Sequence, residues 1–230
     1  MTQSENTYLE SKAKAMNHSP QRGTFISFEG IDGAGKSTHI RALADRFQAA
    51  GREVVLTREP GGTPLAEKIR NLVLNDAMDP LTESLLVFAA RRDHVQTVIR
   101  PALLADKVVL CDRFTDATFA YQGGGRGFDW SVLQSLEQWV QADPLGQITQ
   151  PDLTVWFHLD PALAAKRLQT ARVADRFEAE SLAFFERVSA AYQRRADQQS
   201  ERFVVLNADQ SIEQVGQDLV RQLQLRRVLP

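Results

Sequence analysis

Residues Gly30-Ile31-Asp32-Gly33-Ala34-Gly35-Lys36-Ser37 fit the pattern G-x-x-x-x-G-K-[ST], and their flanks decide what must surround them. An apolar, strand-like run, Thr24-Phe25-Ile26-Ser27-Phe28, enters the loop, and a helical run from Thr38 to Ala50 leaves it and closes at Gly51. The glycines let the backbone curl until its N–H groups turn inward. The first turn of the following helix adds partial positive charge, so the loop becomes a concave seat for phosphate oxygens. In such a seat the ammonium of Lys36 reaches the β- and γ-phosphates and the Ser37 hydroxyl ligates Mg²⁺. The sequence therefore predicts a strand–loop–helix unit that binds a nucleoside triphosphate.

Five short apolar runs read as strands: Thr24–Glu29, Glu53–Thr57, Lys107–Cys111, Leu153–Leu159 and Phe203–Leu206. Several are continuous rather than alternating, which marks strands covered on both faces and hence a parallel sheet between helices. Helical patterns fill the intervals at Ser37–Ala50, Pro64–Leu74, Thr82–Ala105, Trp130–Val140, Pro161–Leu168, Arg176–Gln199 and Ile212–Leu223. Asp129 and Asp160 are placed to cap two of them, the latter with Pro161 at the first helical position. The expectation is an α/β doubly wound fold, a three-layer sandwich with a five-stranded parallel sheet. Ligands of such sheets bind beyond the carboxyl ends of the strands. There the phosphate loop, the segment Arg58-Glu59-Pro60-Gly61-Gly62 and the pair Asp112-Arg113 each follow a strand.

The bulk properties narrow the class. With 230 residues, no long linker and 43% apolar residues, one domain is expected over 23–230, preceded by a flexible leader over 1–22. A net charge of −2 gives no reason to expect nucleic acid or an anionic membrane as partner. No apolar stretch approaches a membrane span, and the first 22 residues lack the apolar centre of a signal peptide, so the expected location is the cytoplasm. The single cysteine, Cys111, ends an apolar run and reads as a buried structural thiol.

Asp112 closes an apolar strand, the form of a carboxylate that helps hold Mg²⁺ and its water shell. Arg113 beside it carries the planar fork that suits two phosphate oxygens at once, or else a structural ion pair. Arg167, Arg172 and Arg176 lie around a break between two helical patterns. A basic segment there can fold over transferring phosphates as a lid at about 167–178, with Arg167 reading as solvated surface. Phe88 and Arg92 stand four apart on a helix, although spacing alone places Phe88 in the core. The second glycine-rich stretch, Gly123-Gly124-Gly125-Arg126-Gly127, lacks a strand–loop–helix context and reads as a mobile surface loop without phosphate contacts.

Four segments together resemble the thymidylate kinase family of the bacterial type: Phe28-Glu29-Gly30-Ile31-Asp32-Gly33-Ala34-Gly35-Lys36-Ser37-Thr38, Thr57-Arg58-Glu59-Pro60-Gly61-Gly62-Thr63, Asp112-Arg113-Phe114 and Ala120-Tyr121-Gln122-Gly123. The resemblance extends from Gly23 to about Leu223. It implies a P-loop NTPase-type fold with a helical lid, transfer of the γ-phosphoryl of ATP to dTMP, use of Mg²⁺, and a homodimer. It also implies a nucleotide-binding loop of Gly30, Ile31, Asp32, Gly33, Ala34, Gly35, Lys36, Ser37 and Thr38, with Ser37 and Asp112 toward the metal. The substrate side would comprise Asp32, Arg58, Glu59, Pro60, Phe88, Arg92, Arg113 and Tyr121. There Phe88 would stack on thymine, Arg92 bond the base, Arg113 hold the dTMP phosphate with Arg58 helping, and Tyr121 exclude a ribose 2′-hydroxyl. Lys36, Arg113 and a lid arginine would be catalytic. The phosphate loop has no arginine, so the resemblance is to members that supply it from the lid, here Arg172 with Arg176 next.

Two other readings keep a place. A deoxynucleoside kinase also pairs a phosphate loop with an Asp-Arg segment, and Glu59 would then serve as its base toward a hydroxyl. A nucleotide-dependent switch without catalytic function usually carries an Asn-Lys-x-Asp guanine-reading segment, which is absent here.

Overall fold

The computed structural model describes residues 23–168, 176, 177 and 179–229. The leader over 1–22 and most of the expected lid, Arg172 included, lie outside the described residues.

Strand β1 (Phe25–Glu29) is buried along its whole length and occupies the centre of the sheet. It is flanked by β3 (Val108–Asp112) and β4 (Leu153–His158), with β2 (Val54–Arg58) and β5 (Phe203–Asn207) outermost, in the order β2-β3-β1-β4-β5. All four pairings are parallel. The continuous apolar runs of β1, β3 and β4 therefore mean what they predict, strands buried on both faces, whereas the outermost β2 and β5 leave Leu56 and Val205 about half exposed. Register sets the site, because Phe28 lies opposite Asp112 and Arg58 opposite Asp112 from the other side. The ends of β1, β2 and β3 thus meet at one level.

Helix α1 (Lys36–Ala49) starts from Gly35, whose φ of 83° is left-handed and easily taken only by glycine. Helix α2 (Pro64–Asn75) has Pro64 in its first turn, and the Thr63 hydroxyl accepts from the Ala66 amide as its cap. Helix α3 (Pro80–His94) is capped by Asp79 and runs through a π turn at Val95–Ile99 into α4 (Arg100–Leu104). The predicted single helix over this stretch is thus interrupted by a wider turn. Pro101, which has no N–H to donate back, stands two residues after the end of that turn. The expected caps Asp129 and Asp160 both accept amide hydrogens at the starts of α6 (Trp130–Gln141) and α7 (Pro161–Leu168).

Two expectations need correction. The helix expected from Arg176 begins only at Leu182, giving α8 (Leu182–Gln198) with Ser181 as its cap. The chain closes with α9 (Ile212–Leu225). The second glycine-rich stretch is no mobile surface loop. After the short α5 (Thr115–Thr118), residues Phe119–Gly125 form a π helix in which Gly123 and Gly125 are buried. A Cβ on Gly124 would lie 2.5 Å from the Ala191 Cβ, and one on Gly125 would run into the Phe184 ring. These glycines serve close packing against α8, and their composition alone does not distinguish that from mobility.

Candidate active site

A cavity of about 290 Å³ opens where the ends of β1, β2 and β3 meet. Asp32 and Ser37 of the phosphate loop line it, as do Arg58, Glu59 and Pro60 after β2 and Asp112 and Arg113 after β3. Helices contribute Arg70 of α2, Val87 and Arg91 of α3, Thr118 of α5, and Tyr121 and Gln122 of the π helix.

The loop curls back on its lysine. Lys36 is buried, and its Nζ donates to the carbonyls of Gly30 at 3.0 Å and Ile31 at 3.3 Å, with Asp32 Oδ1 3.9 Å away. Burial, with Arg113 adding, lowers its proton affinity against the pull of Asp112, Asp32 and Glu29. Gly30, Ile31, Gly33, Ala34 and Gly35 form the turn itself, and Thr38 lies in the first turn of α1; none of them is part of the cavity wall. Beneath it Glu29 accepts from the Phe114 amide at 2.8 Å and the Tyr192 hydroxyl at 2.9 Å, which ties the loop to β3 and α8. Burial and the neighbouring Asp116 push the Glu29 carboxyl up to about 8.

Arginines crowd one wall. Arg113 adopts a left-handed φ of 67°, uncommon for a residue with a side chain, while its amide bonds the Phe28 carbonyl at 2.9 Å. That turn brings its guanidinium to 3.0 Å from Asp32 Oδ1 and 4.9 Å from the centre of the Tyr121 ring, and leaves Nη1 buried without a partner. Arg58 forks onto Glu67 at 2.8 and 3.1 Å. Arg70, absent from the sequence-derived set, donates to the Pro60 carbonyl at 2.9 Å. Burial, and then Arg58 and Arg113, depress the proton affinity of Arg70. Arg58 and Arg113 thus both repel the Arg70 guanidinium, and an anion entering this wall would relieve that repulsion.

The other wall is set by Glu59. It is buried, accepts from Arg91 Nε at 2.7 Å and pairs with His94 Nδ1 at 2.9 Å. Burial alone would raise its pKa, but Arg91 and His94 outweigh that and hold it below the ordinary value. His94 in turn meets the Thr57 hydroxyl at 2.6 Å. Both Glu59 oxygens are thus occupied, which leaves it poorly placed as the base of a nucleoside kinase. Arg91 also donates to Thr118 at 2.9 Å and Phe114 O at 3.2 Å, while its Nη1 is buried without a partner.

Phe88 and Arg92 do not line the cavity. Phe88 packs with Phe119 and Leu133, and Arg92 donates to the Val140 carbonyl at 2.9 Å across to α6. The i,i+4 pair turned toward the cavity is Val87 and Arg91, one residue earlier and so about 100° around the helix. Arg176 pairs with Glu83 at the start of α3, and its ring neighbour Phe177, not Arg176 itself, reaches the cavity.

Asp112 Oδ1 is buried and has no hydrogen-bond partner, and Ser37 lines the same cavity. An orphaned carboxylate oxygen and a hydroxyl lining one cavity suit Mg²⁺, which keeps several waters and takes further ligands from phosphate. Among the described residues no group of three or more His, Cys, Asp or Glu forms a metal cage. Cys111 is fully buried, and burial raises its thiol pKa well above the ordinary value, consistent with a structural thiol. No helix among the described residues is long and apolar enough to cross a membrane.

The family model described as thymidylate kinase matches residues 28–219 of this chain. A thymidylate kinase of Polaromonas sp. (strain JS666 / ATCC BAA-500) is 62% identical, over 87% of this chain and 96% of that protein. One of Albidiferax ferrireducens is 62% identical over 89% and 96%. The crystal structure of a thymidylate kinase from Ehrlichia chaffeensis superposes with a TM-score of 0.70 at 35% identity, covering 88% of this chain and 99% of that one.

Proposed function

The chain belongs to the thymidylate kinase family, which transfers the γ-phosphoryl of ATP to dTMP, and we propose that its cavity divides that work between a phosphate wall and a base wall. The observation that carries this reading is the convergence of Arg58, Arg70 and Arg113 beside the phosphate loop. A second anion site next to the triphosphate site requires an acceptor that already bears a phosphate, which a nucleoside lacks.

An oxygen of the dTMP phosphate attacks the γ-phosphorus, and the bond from that phosphorus to the β,γ-bridging oxygen breaks. The products are dTDP and ADP, a step toward dTTP. Such transfer rests on positioning and on neutralising charge. Gly30, Ile31, Asp32, Gly33, Ala34, Gly35, Lys36, Ser37 and Thr38 cradle the ATP phosphates, with Lys36 leaving its carbonyl partners for the β- and γ-oxygens. Ser37 and Asp112 would hold Mg²⁺, directly or through water, and the ion would supply neutralisation of phosphate charge. Arg113 grips the acceptor phosphate, helped by Arg58 and Arg70, and Asp32 keeps Arg113 in place.

On the base wall, Val87 and Arg91 take the roles expected of Phe88 and Arg92. The exposed neighbourhood of Arg92 and the unpartnered Arg91 Nη1 support that exchange. Glu59 and Pro60 act through Arg91 and Arg70, whose guanidinium groups they hold, and Tyr121 closes the sugar side. Arg172, outside the described residues, and Arg176 are the candidates for the lid arginine. The lid at about 167–178 belongs to a single domain over 23–230, acting in the cytoplasm. A homodimer is in keeping with Leu65 and Leu72 of α2 and Leu81 and Leu85 of α3, large apolar side chains left about half exposed.

An ADP-release assay with dTMP, dUMP, dCMP, AMP and thymidine as acceptors tests the reading. Turnover with dTMP and none with thymidine is expected; turnover with thymidine but not dTMP would sink it.

A further inference from the structure

Glu83, in the first turn of α3, is a fully buried carboxylate that the reaction described above leaves unused. Its two oxygens are engaged in different directions. Oε1 accepts from Gln122 Nε2 at 2.7 Å. Oε2 pairs with Arg126 Nε at 3.4 Å and with Arg176. Arg126 is itself fixed: it pairs with Glu180, and its guanidinium lies 5.2 Å from the Phe177 ring centre and 5.0 Å from that of Phe184. Arginine pairing on Oε2 leaves Oε1 to Gln122 and keeps the carboxylate from turning, and Arg176 alone suffices for that.

A carboxylate only accepts hydrogen bonds, whereas an amide has a donor side and an acceptor side. Glu83 therefore dictates which way the Gln122 amide faces: its NH₂ must point to Glu83, and its oxygen is left for the other side. Gln122 is itself buried and lines the cavity, as does Arg91, whose buried Nη1 lacks a partner. This stretch of the wall thus offers the Gln122 amide oxygen as an acceptor and Arg91 Nη1 as a donor. Thymine offers the complement, a carbonyl at position 4 and an N–H at position 3, whereas cytosine presents an amino group and a bare nitrogen at those positions.

We propose that Glu83 is a positioning residue that locks the Gln122 amide with its oxygen toward the cavity, so that Gln122 and Arg91 together select a carbonyl/N–H base edge over an amino/bare-nitrogen edge. The inference rests on dTMP being the acceptor. It assigns Glu83 no contact with substrate.

The readout is the ratio of kcat/KM for dTMP to kcat/KM for dCMP in the full chain. In Glu83→Gln the residue at 83 can donate or accept, so the amide at 122 is free to flip, and the ratio should fall about tenfold. Gln122→Met removes the amide at nearly constant volume and should lower the ratio by a similar factor. Arg126→Gln leaves Arg176 on Oε2 and Gln122 on Oε1, so Glu83 stays held and the ratio should keep within about twofold of the wild type. KM for ATP should hold in all three. An unchanged ratio in Gln122→Met overturns the proposal even if Glu83→Gln does not fold. So does a folded Glu83→Gln that loses both activities equally, which is what a purely structural role predicts. If the wild type itself does not use dTMP, the assignment of the acceptor has failed instead, and that is visible before any variant is made.

Discussion

The sharpest test of the base wall is Glu59→Gln, because the change is nearly isosteric and the structure gives it a definite cost. Glu59 and Arg91 have 2% and 1% of their side-chain surface exposed and meet at 2.7 Å. Removing one charge of such a pair leaves the other buried and uncompensated, which typically costs about 3–5 kcal/mol. Glutamine can still accept from Arg91 or His94, and Arg91 keeps Thr118 and Phe114 O, so the low end, about 3 kcal/mol, is expected. For a domain of this size that corresponds to a fall of roughly 6–12 °C in Tm.

The pH dependence has a definite sign. The folded pKa of Glu59 lies below its ordinary value of 4.5, so the stabilisation is fully present above 4.5 and is lost as pH falls through the folded value. The gap between wild type and Glu59→Gln, measured by urea or thermal unfolding, should therefore be widest near neutrality and narrow in acid. KM for dTMP should rise through displacement of Arg91, and KM for ATP should not. A gap under about 1 kcal/mol at neutral pH, or one that widens in acid, would refute the ion-pair reasoning. A fully folded variant with no residual kcat would refute it differently, by making Glu59 a base.

Arg91→Ala should raise KM for dTMP at least tenfold while Arg92→Ala stays within about twofold, a contrast read by steady-state kinetics that decides which residue faces the base. Arg172→Ala should lower kcat with little change in ATP affinity if that residue acts in the transition state, whereas unchanged kcat would transfer the role to Arg176. Gly124→Ala sets helix propensity, a gain of up to about 1 kcal/mol, against a new Cβ 2.5 Å from Ala191 and 2.7 Å from the Arg187 carbonyl. Overpacking of that kind costs about 1–3 kcal/mol, so a lowered denaturation midpoint is expected, and a raised one would falsify the packing account of these glycines.

What was legible in the sequence is what local pattern determines. The phosphate loop announces itself because strand, glycines, lysine and helix must follow one another in the chain. Strands β1, β3 and β4 are readable because burial on both faces leaves continuous apolar runs, while the outer β2 and β5 show as short apolar runs with one face more open. The base wall was harder, since Phe88/Arg92 and Val87/Arg91 are both i,i+4 pairs on one helix and spacing cannot say which of two faces 100° apart meets a ligand. A signal was present all the same. Ser84, Val87, Arg91 and His94 follow the three-and-four spacing of a buried stripe, and an arginine within such a stripe requires a buried partner. Glu59 is that partner, but it sits 32 residues away on another element. The same holds for Glu83, whose neighbours Gln122 and Arg176 are 39 and 93 residues distant. For Arg113 the missing information was conformational: only the left-handed turn after β3 aims its guanidinium at Asp32, and no residue type in the strand foretells it. Charged groups that reach a site through long-range pairing leave only half of each pair in any local window. The legible half of an ion pair is therefore a reason to look for its partner before assigning it to a ligand.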